Sequence, residues 1–233
     1  MIAVNLQTVQ ARISAACAAA GRDPSTVRLL AVSKKFGPDA VREAQAAGQR
    51  AFGENYITEG VEKINALNAL NASPGEPLQW HCIGPVQSNK TRLVAEHFDW
   101  VQSVDRLKIA ERLSEQRPAH LPPLQVCIQV NTDGGANKSG VTPDALPALA
   151  QAIAGLPRLV LRGLMAIPEP APDFVAQCAL FAVTKALFDQ LNALGELARP
   201  LDTLSIGMTA DLEAAIASGS TLVRVGTAIF GAR

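Results

Sequence analysis

An apolar run that passes abruptly into lysine is the first place to look for chemistry in this chain. Leu29-Leu30-Ala31-Val32-Ser33 leads directly into Lys34-Lys35. The run reads as a buried strand, and in a parallel α/β fold the C-terminal end of a strand faces the ligand. Desolvation or neighbouring cations at such a mouth lower an amine's pKa and make it a nucleophile. Successive residues of a strand point to opposite sides, so only one of the two lysines enters the site. Both strand faces are buried, and the apolar pattern does not choose between them.

Two stretches near the C-terminus offer a partner for that amine. Ser205-Ile206-Gly207-Met208-Thr209 runs straight into a helix, with Thr209 placed to cap it and the first amides free for an anion. Arg224-Val225-Gly226-Thr227 adds a second set of donors at the next strand. Ordinary capping accounts for either stretch alone. The two on adjacent strands point to a phosphate site, against which Asp211 counts unless its side chain turns away. An amine facing a phosphate site permits a Schiff base with a phosphorylated sugar, as in an aldolase. It equally permits one with pyridoxal 5′-phosphate (PLP), which carries its own phosphate.

Other polar residues are less decisive. Asn55 ends the second strand and lies at the mouth. His81 is either a polar wall of the pocket or a satisfied core histidine. His97 and His120 read as helix-end and loop residues. Gly134-Gly135-Ala136-Asn137-Lys138-Ser139 lacks the glycine that precedes the lysine of a P-loop, and reads as a polar mouth loop. Gln87-Ser88-Asn89-Lys90 is a capped helix start with an open role.

The elements that position these residues alternate along the chain. Residues 1–20 form an amphipathic helix, with Leu6, Val9, Ile13, Ala16 and Ala20 at helical spacing. Strands are then expected at Leu29–Val32, Arg50–Asn55, Gln79–Ile83, Trp100–Val104, Leu124–Val130, Leu159–Ile167, Leu204–Gly207 and Leu222–Val225. Helical patterns separate them, including Ala210–Ser218 after strand seven. Eight strand–helix units at roughly 29 residues each suit a compact (β/α)₈ barrel with an extra N-terminal helix. The rival is a doubly wound sheet, which would want G-x-G-x-x-G after its first strand. Here that turn is Ser-Lys-Lys-Phe-Gly. One domain spanning residues 1–233 is expected.

Composition agrees with a small-molecule site. Lys plus Arg and Asp plus Glu number 21 each, so the formal charge is zero. That argues against nucleic acid or an anionic membrane as the main partner. With 48% hydrophobic residues the chain is globular and soluble. Cys17, Cys82, Cys127 and Cys178 are widely spaced, which predicts a reduced cytoplasmic protein without disulfides or zinc. No signal peptide and no apolar run of membrane-spanning length are read.

The motifs, taken together, resemble the pyridoxal phosphate homeostasis protein family, single-domain relatives of the alanine racemase N-terminal barrel. The matching stretches are Leu30–Lys34, Phe52–Tyr56, Trp80–Lys90, Lys138–Gly140, Arg162–Ile167, Leu204–Thr209 and Val223–Gly231. They span nearly the whole chain in order. Lys35-Phe36-Gly37 departs from the family's usual Thr-Lys-Pro, and Thr209 stands where serine is common. The resemblance implies that Lys34, not Lys35, forms the Schiff base with PLP. It implies that Thr209 and the Gly226/Thr227 turn hold the phosphate with Ser205 nearby, and that Arg224 meets the pyridine nitrogen. Asn55 and His81 complete the expected cofactor-binding set.

An arginine leaves that nitrogen largely unprotonated, which weakens carbanion stabilisation. Barrel racemases and decarboxylases also use a second domain that supplies a tyrosine or cysteine. This chain ends soon after strand eight, and its only tyrosine is Tyr56. The expectation is therefore a PLP carrier that buffers or delivers the cofactor, with apo PLP-dependent enzymes as recipients and effects on amino-acid and keto-acid balance. A PLP-dependent racemase or lyase is the alternative, and a Schiff-base aldolase the third reading. Without a racemase-type second domain, a monomer is expected.

Overall fold

The computed structural model describes residues 1–70, 77–134 and 139–231. The expected polar loop after the third helix lies largely outside the described residues, as do Gly135 to Lys138 of the mouth loop.

α1 (Ile2–Ala19) leads into β1 (Arg28–Val32) and α2 (Pro38–Ala46), followed by β2 (Ala51–Glu54) and α3 (Ile57–Leu70). Next come β3 (Gln79–Cys82), α4 (Thr91–His97), β4 (Trp100–Val104), α5 (Leu107–Gln116), β5 (Leu124–Gln129) and α6 (Leu146–Ala154). The chain closes with β6 (Leu159–Met165), α7 (Phe174–Leu194), β7 (Thr203–Ser205), α8 (Leu212–Ala217), β8 (Leu222–Val225) and α9 (Thr227–Phe230). The eight strands pair in sequence order into a closed parallel barrel, and β8 returns to β1 with Leu30 opposite Arg224. This is the expected (β/α)₈ architecture.

Pattern explains the elements. The strands are buried on both faces, as a barrel wrapped by helices requires. Each helix turns an apolar stripe inward: Val41 and Ala44 on α2, Ile109, Ala110 and Leu113 on α5, Leu146, Ala150 and Ile153 on α6. The extra helix α1 buries Leu6, Val9, Ile13, Ala16 and Cys17 and packs on α2, α8 and α9. It therefore lies behind the turns that follow β7 and β8.

Three expectations change. Helix α8 starts at Leu212, not Ala210, because Asp211 folds back to accept the Met208 amide at 2.6 Å. The short helix α9 was not anticipated. Helix α7, 21 residues with a mean hydropathy of 1.3, does reach membrane-spanning length by length and composition. In the fold it lies against β6 and α8, burying Phe181, Thr184, Phe188 and Leu191.

Candidate functional site

Lys34 lies just beyond β1, in a turn, half-buried on the wall of a cavity of ≈ 690 Å³. That volume falls in the range of small-molecule and cofactor sites, roughly 300–1,000 Å³. Strand alternation does not decide between the lysines, because both lie past the strand. The turn decides. Lys35 adopts φ 62°, the left-handed region, and its ammonium is carried out over the exposed Tyr56 ring, 5.9 Å from the centroid. Lys34 lines the cavity and Lys35 does not.

The opposite wall is built after β7 and β8. Met208, Thr209 and Ala210 face the cavity from one turn, Gly226 and Thr227 from the next. Gly207 makes the first turn possible: at φ +93° a Cβ here would lie 2.3 Å from that of Ala215. Thr209 is a turn residue rather than a helix cap, and Asp211, occupied with the Met208 amide, is not among the lining residues. From outside, Arg12 of α1 donates to the Thr209 carbonyl at 3.1 Å and pairs with both oxygens of Glu213. Asn5 donates to the Ile229 carbonyl at 2.8 Å. Phe36, following the lysine turn, stacks on Phe230 of α9 with ring centroids 5.2 Å apart and joins the two walls.

Asn55 and Ile83 form a third side. Gly84 lets them meet, since a Cβ on it would sit 2.0 Å from the Asn55 carbonyl oxygen. The Asn55 side-chain oxygen is buried and without a hydrogen-bond partner.

Arg224 lines the cavity although it is 4% exposed. It donates to the Ser205 carbonyl at 2.6 Å, the Ser205 hydroxyl at 2.7 Å and the Ala166 carbonyl at 3.0 Å. A guanidinium has five N–H groups, so donors remain for a ligand. Burial draws its pKa down to about 10, which leaves it charged at neutral pH. Below it a hydrogen-bonded chain descends through the barrel. The Ser205 hydroxyl donates to Gln102 Oε1 at 2.6 Å. Gln102 Nε2 lies 2.8 Å from His81 Nδ1, and His81 Nε2 lies 3.1 Å from Gln79 Oε1. β4 and β7 are not neighbours, so Gln102 and Ser205 meet inside the barrel. Trp100, two residues before Gln102, shares its face and stacks on His81 at 5.0 Å.

The structure does not bring two of the expected residues to the cavity wall. His81 and Ser205 are fully buried and do not line the cavity. Burial holds the His81 pKa well below its usual value, so the ring is neutral, accepting at Nδ1 and donating at Nε2. Ser205 bonds Arg224 directly from beneath, and His81 joins it only through Gln102. Lys34, Asn55, Thr209, Arg224, Gly226 and Thr227 are brought together as expected. Gln87 to Lys90 is not part of the cavity wall: Lys90 reaches Thr58, and Arg112 holds the Ser88 carbonyl.

Sequence reasoning missed Arg12, Gln102, Glu54, Glu59 and Lys63. Lys63 is buried at the edge of the α3 stripe Ile57, Val61, Ile64, Leu67, a position that helical periodicity alone does not mark as inward. Gln102 carried a signal, an amide beside Ser103 within a fully buried strand.

The family model for the alanine racemase N-terminal domain matches residues 4–233. The chain is 62% identical over 232 residues to a protein of Pseudomonas aeruginosa named pyridoxal phosphate homeostasis protein, covering 100% of this chain and 96% of that one. The chain belongs to the pyridoxal phosphate homeostasis protein family. Among solved structures, one described as an unknown protein from Bifidobacterium adolescentis superposes with a TM-score of 0.90 at 36% identity, over 98% of this chain and 94% of that chain. PipY of Synechococcus elongatus, solved with PLP bound, superposes with a TM-score of 0.83 at 36% identity, over 99% of this chain and 100% of PipY.

Proposed function

We propose that this protein binds PLP in the cavity between β1, β7 and β8, holds it covalently on Lys34, and buffers or delivers it inside the cell. One observation carries the reading: Lys34 shares a single cavity with Thr209, Gly226 and Thr227 opposite it and the Arg224 guanidinium exposed to it. The residues fit the cofactor. The buried Asn55 side-chain oxygen, without a hydrogen-bond partner, can accept from a polar ligand, and Arg224 has N–H groups to spare.

When bound, PLP supplies an aldehyde and an electron-withdrawing ring. Lys34 provides the amine that meets the aldehyde. The Thr209 and Thr227 hydroxyls, with the turn at Gly226, hold the phosphate. Arg224 donates toward the ring nitrogen. A charged donor there keeps a proton off that nitrogen, so the ring is a weaker electron sink than beside a carboxylate. Among the described residues lining the cavity there is no carboxylate, histidine, cysteine or tyrosine. None of these described lining residues offers a second acid or base for the neutral range beside Lys34. This supports a carrier over a racemase or lyase, with apo PLP-dependent enzymes as recipients. The same reading takes the protein as a cytoplasmic monomer, in keeping with four free cysteines.

Purified protein mixed with PLP is expected to show a visible absorbance band that Lys34→Ala abolishes and Lys35→Ala spares. Loaded protein is expected to activate an apo PLP enzyme and to leave a broad panel of amino acids unchanged. Robust turnover of any amino acid overturns the carrier reading.

A further inference from the structure

The turn that carries Lys34 rests on a buried cluster of charge that does not touch the cavity. Ser33 precedes Lys34. Its amide donates to the Gly53 carbonyl at 3.1 Å, and its hydroxyl donates to Glu54 Oε1 at 2.6 Å. Its carbonyl accepts from Lys63 Nζ at 2.9 Å. Lys63 Nζ also lies 2.5 Å from that same Glu54 oxygen and 3.3 Å from Glu59 Oε1. Glu59 in turn accepts the amide of Lys35. The peptide groups on both sides of Lys34 therefore end on one cluster. Lys63 and Glu54 are 4% and 1% exposed, and neither lines the cavity.

Stability alone does not account for this arrangement. Two charges taken out of water repay their desolvation poorly, and apolar side chains of similar volume do as well or better. The cluster also leaves Glu54 Oε2 buried without a partner. Lys35, meanwhile, occupies a left-handed conformation that a residue with a side chain keeps only when its surroundings impose it.

We propose that Lys63, acting through Glu54 and Glu59, is the positioning residue for Lys34. It fixes the backbone on either side of Lys34, so that the amine is aimed into the cavity before any ligand arrives. The inference rests on the reading of this cavity as a PLP site. In capture, a C=N bond forms between Lys34 Nζ and the aldehyde carbon. The aldehyde oxygen leaves as water with the two protons of the neutral amine. Lys63 touches none of these atoms, so its effect falls on the rate of bond formation and not on the grip of the phosphate wall.

The test separates those two quantities. Stopped-flow absorbance follows capture of PLP, and calorimetry follows binding of pyridoxine 5′-phosphate, which keeps ring and phosphate but carries an alcohol in place of the aldehyde. The double variant Glu54→Gln/Lys63→Met leaves no lone buried charge. It is expected to capture PLP about tenfold more slowly or worse, while pyridoxine 5′-phosphate affinity stays within about twofold. Capture at the wild-type rate overturns the proposal. So does an equal loss of both quantities, which marks the cluster as a fold element only. If the double variant does not fold, Ser33→Ala, which removes only the hydroxyl bond to Glu54, carries the same comparison: slower capture with unchanged pyridoxine 5′-phosphate binding supports the proposal, and unchanged capture overturns it. Wild-type protein that takes up no PLP at all refutes the cofactor reading itself, before any variant is compared.

Discussion

The lysine wall of the cavity is braced from beneath by buried charge, the threonine wall from outside by a half-exposed helix. Behind Lys34 stand Glu54 and Lys63, almost sealed from water. Behind Thr209 and Thr227 stand Arg12 and Asn5 of α1, with the Arg12–Glu213 pair 34% and 45% exposed. On the proposed reading of the cavity, the contrast follows from what each wall must do. An amine that forms a bond has to be held to a fraction of an ångström. A phosphate gripped by hydroxyls and turns tolerates small shifts and nearby water. A brace in low dielectric is stiff but breaks at high cost, whereas a brace in water is adjustable and weak.

The largest effect that tests this contrast is Lys63→Met alone. It strands the Glu54 carboxylate, which should cost about 3–5 kcal/mol in urea denaturation. Adding Glu54→Gln should restore most of that loss. If Lys63→Met costs as little as a surface substitution, the lysine wall is not braced from beneath.

Arg12→Ala comes next, at about 1 kcal/mol, because its pair is screened by solvent. Its mark should be on ligand grip: pyridoxine 5′-phosphate affinity should fall several-fold in calorimetry, about a kilocalorie's worth or less. The Glu54→Gln/Lys63→Met variant should leave that affinity in place. A reversal of these two results would dissolve the distinction between the walls.

The pH dependence should run in opposite directions, with smaller amplitude. Burial holds the Glu54 carboxyl above its usual 4.5 in spite of Lys63. The folded protein therefore binds that proton more tightly than the unfolded chain. The contribution is complete below 4.5 and is lost as pH rises through the folded value. Glu213 is the reverse, since the Arg12 hydrogen bond holds it below 4.5. Its contribution is complete above 4.5 and lost as pH falls through the folded value. Wild type should lose stability relative to Glu54→Gln as pH rises above 4.5. It should lose stability relative to Arg12→Ala as pH falls below 4.5. Denaturation series at stepped pH check both slopes.

Salt gives the smallest effect. Raising ionic strength well past 0.15 M, where the screening length is about 8 Å, should erase the cost of Arg12→Ala and leave that of Lys63→Met standing.

Much of the barrel was legible because its strands are short apolar runs at regular spacing with glycines and prolines between them. Lys34, Thr209, Arg224 and Gly226 were legible because strand ends in such a fold converge on one mouth. What escaped has a physical pattern. Strand alternation does not choose between Lys34 and Lys35, because the choice hangs on a left-handed turn residue; only the family resemblance pointed to Lys34. His81 and Ser205 lie beneath the cavity wall, and because most strand residues here are buried, burial does not tell barrel interior from ligand wall. Gln102 bonds a strand on the far side of the barrel, a contact that sequence adjacency hides. Lys63 lies beside the apolar stripe of its helix rather than in it, and its partner Glu54 sits at the end of another element. Arg12 braces a turn 197 residues away.

The central claim is that Lys34, and no other amine near the cavity, holds the cofactor. Borohydride reduction of PLP-loaded protein, followed by peptide mass mapping, tests it most directly. The account predicts a reduced pyridoxyl adduct on Lys34 in full occupancy and none on Lys35, Lys63 or Lys90. An adduct on any of those three with Lys34 unmodified would contradict it.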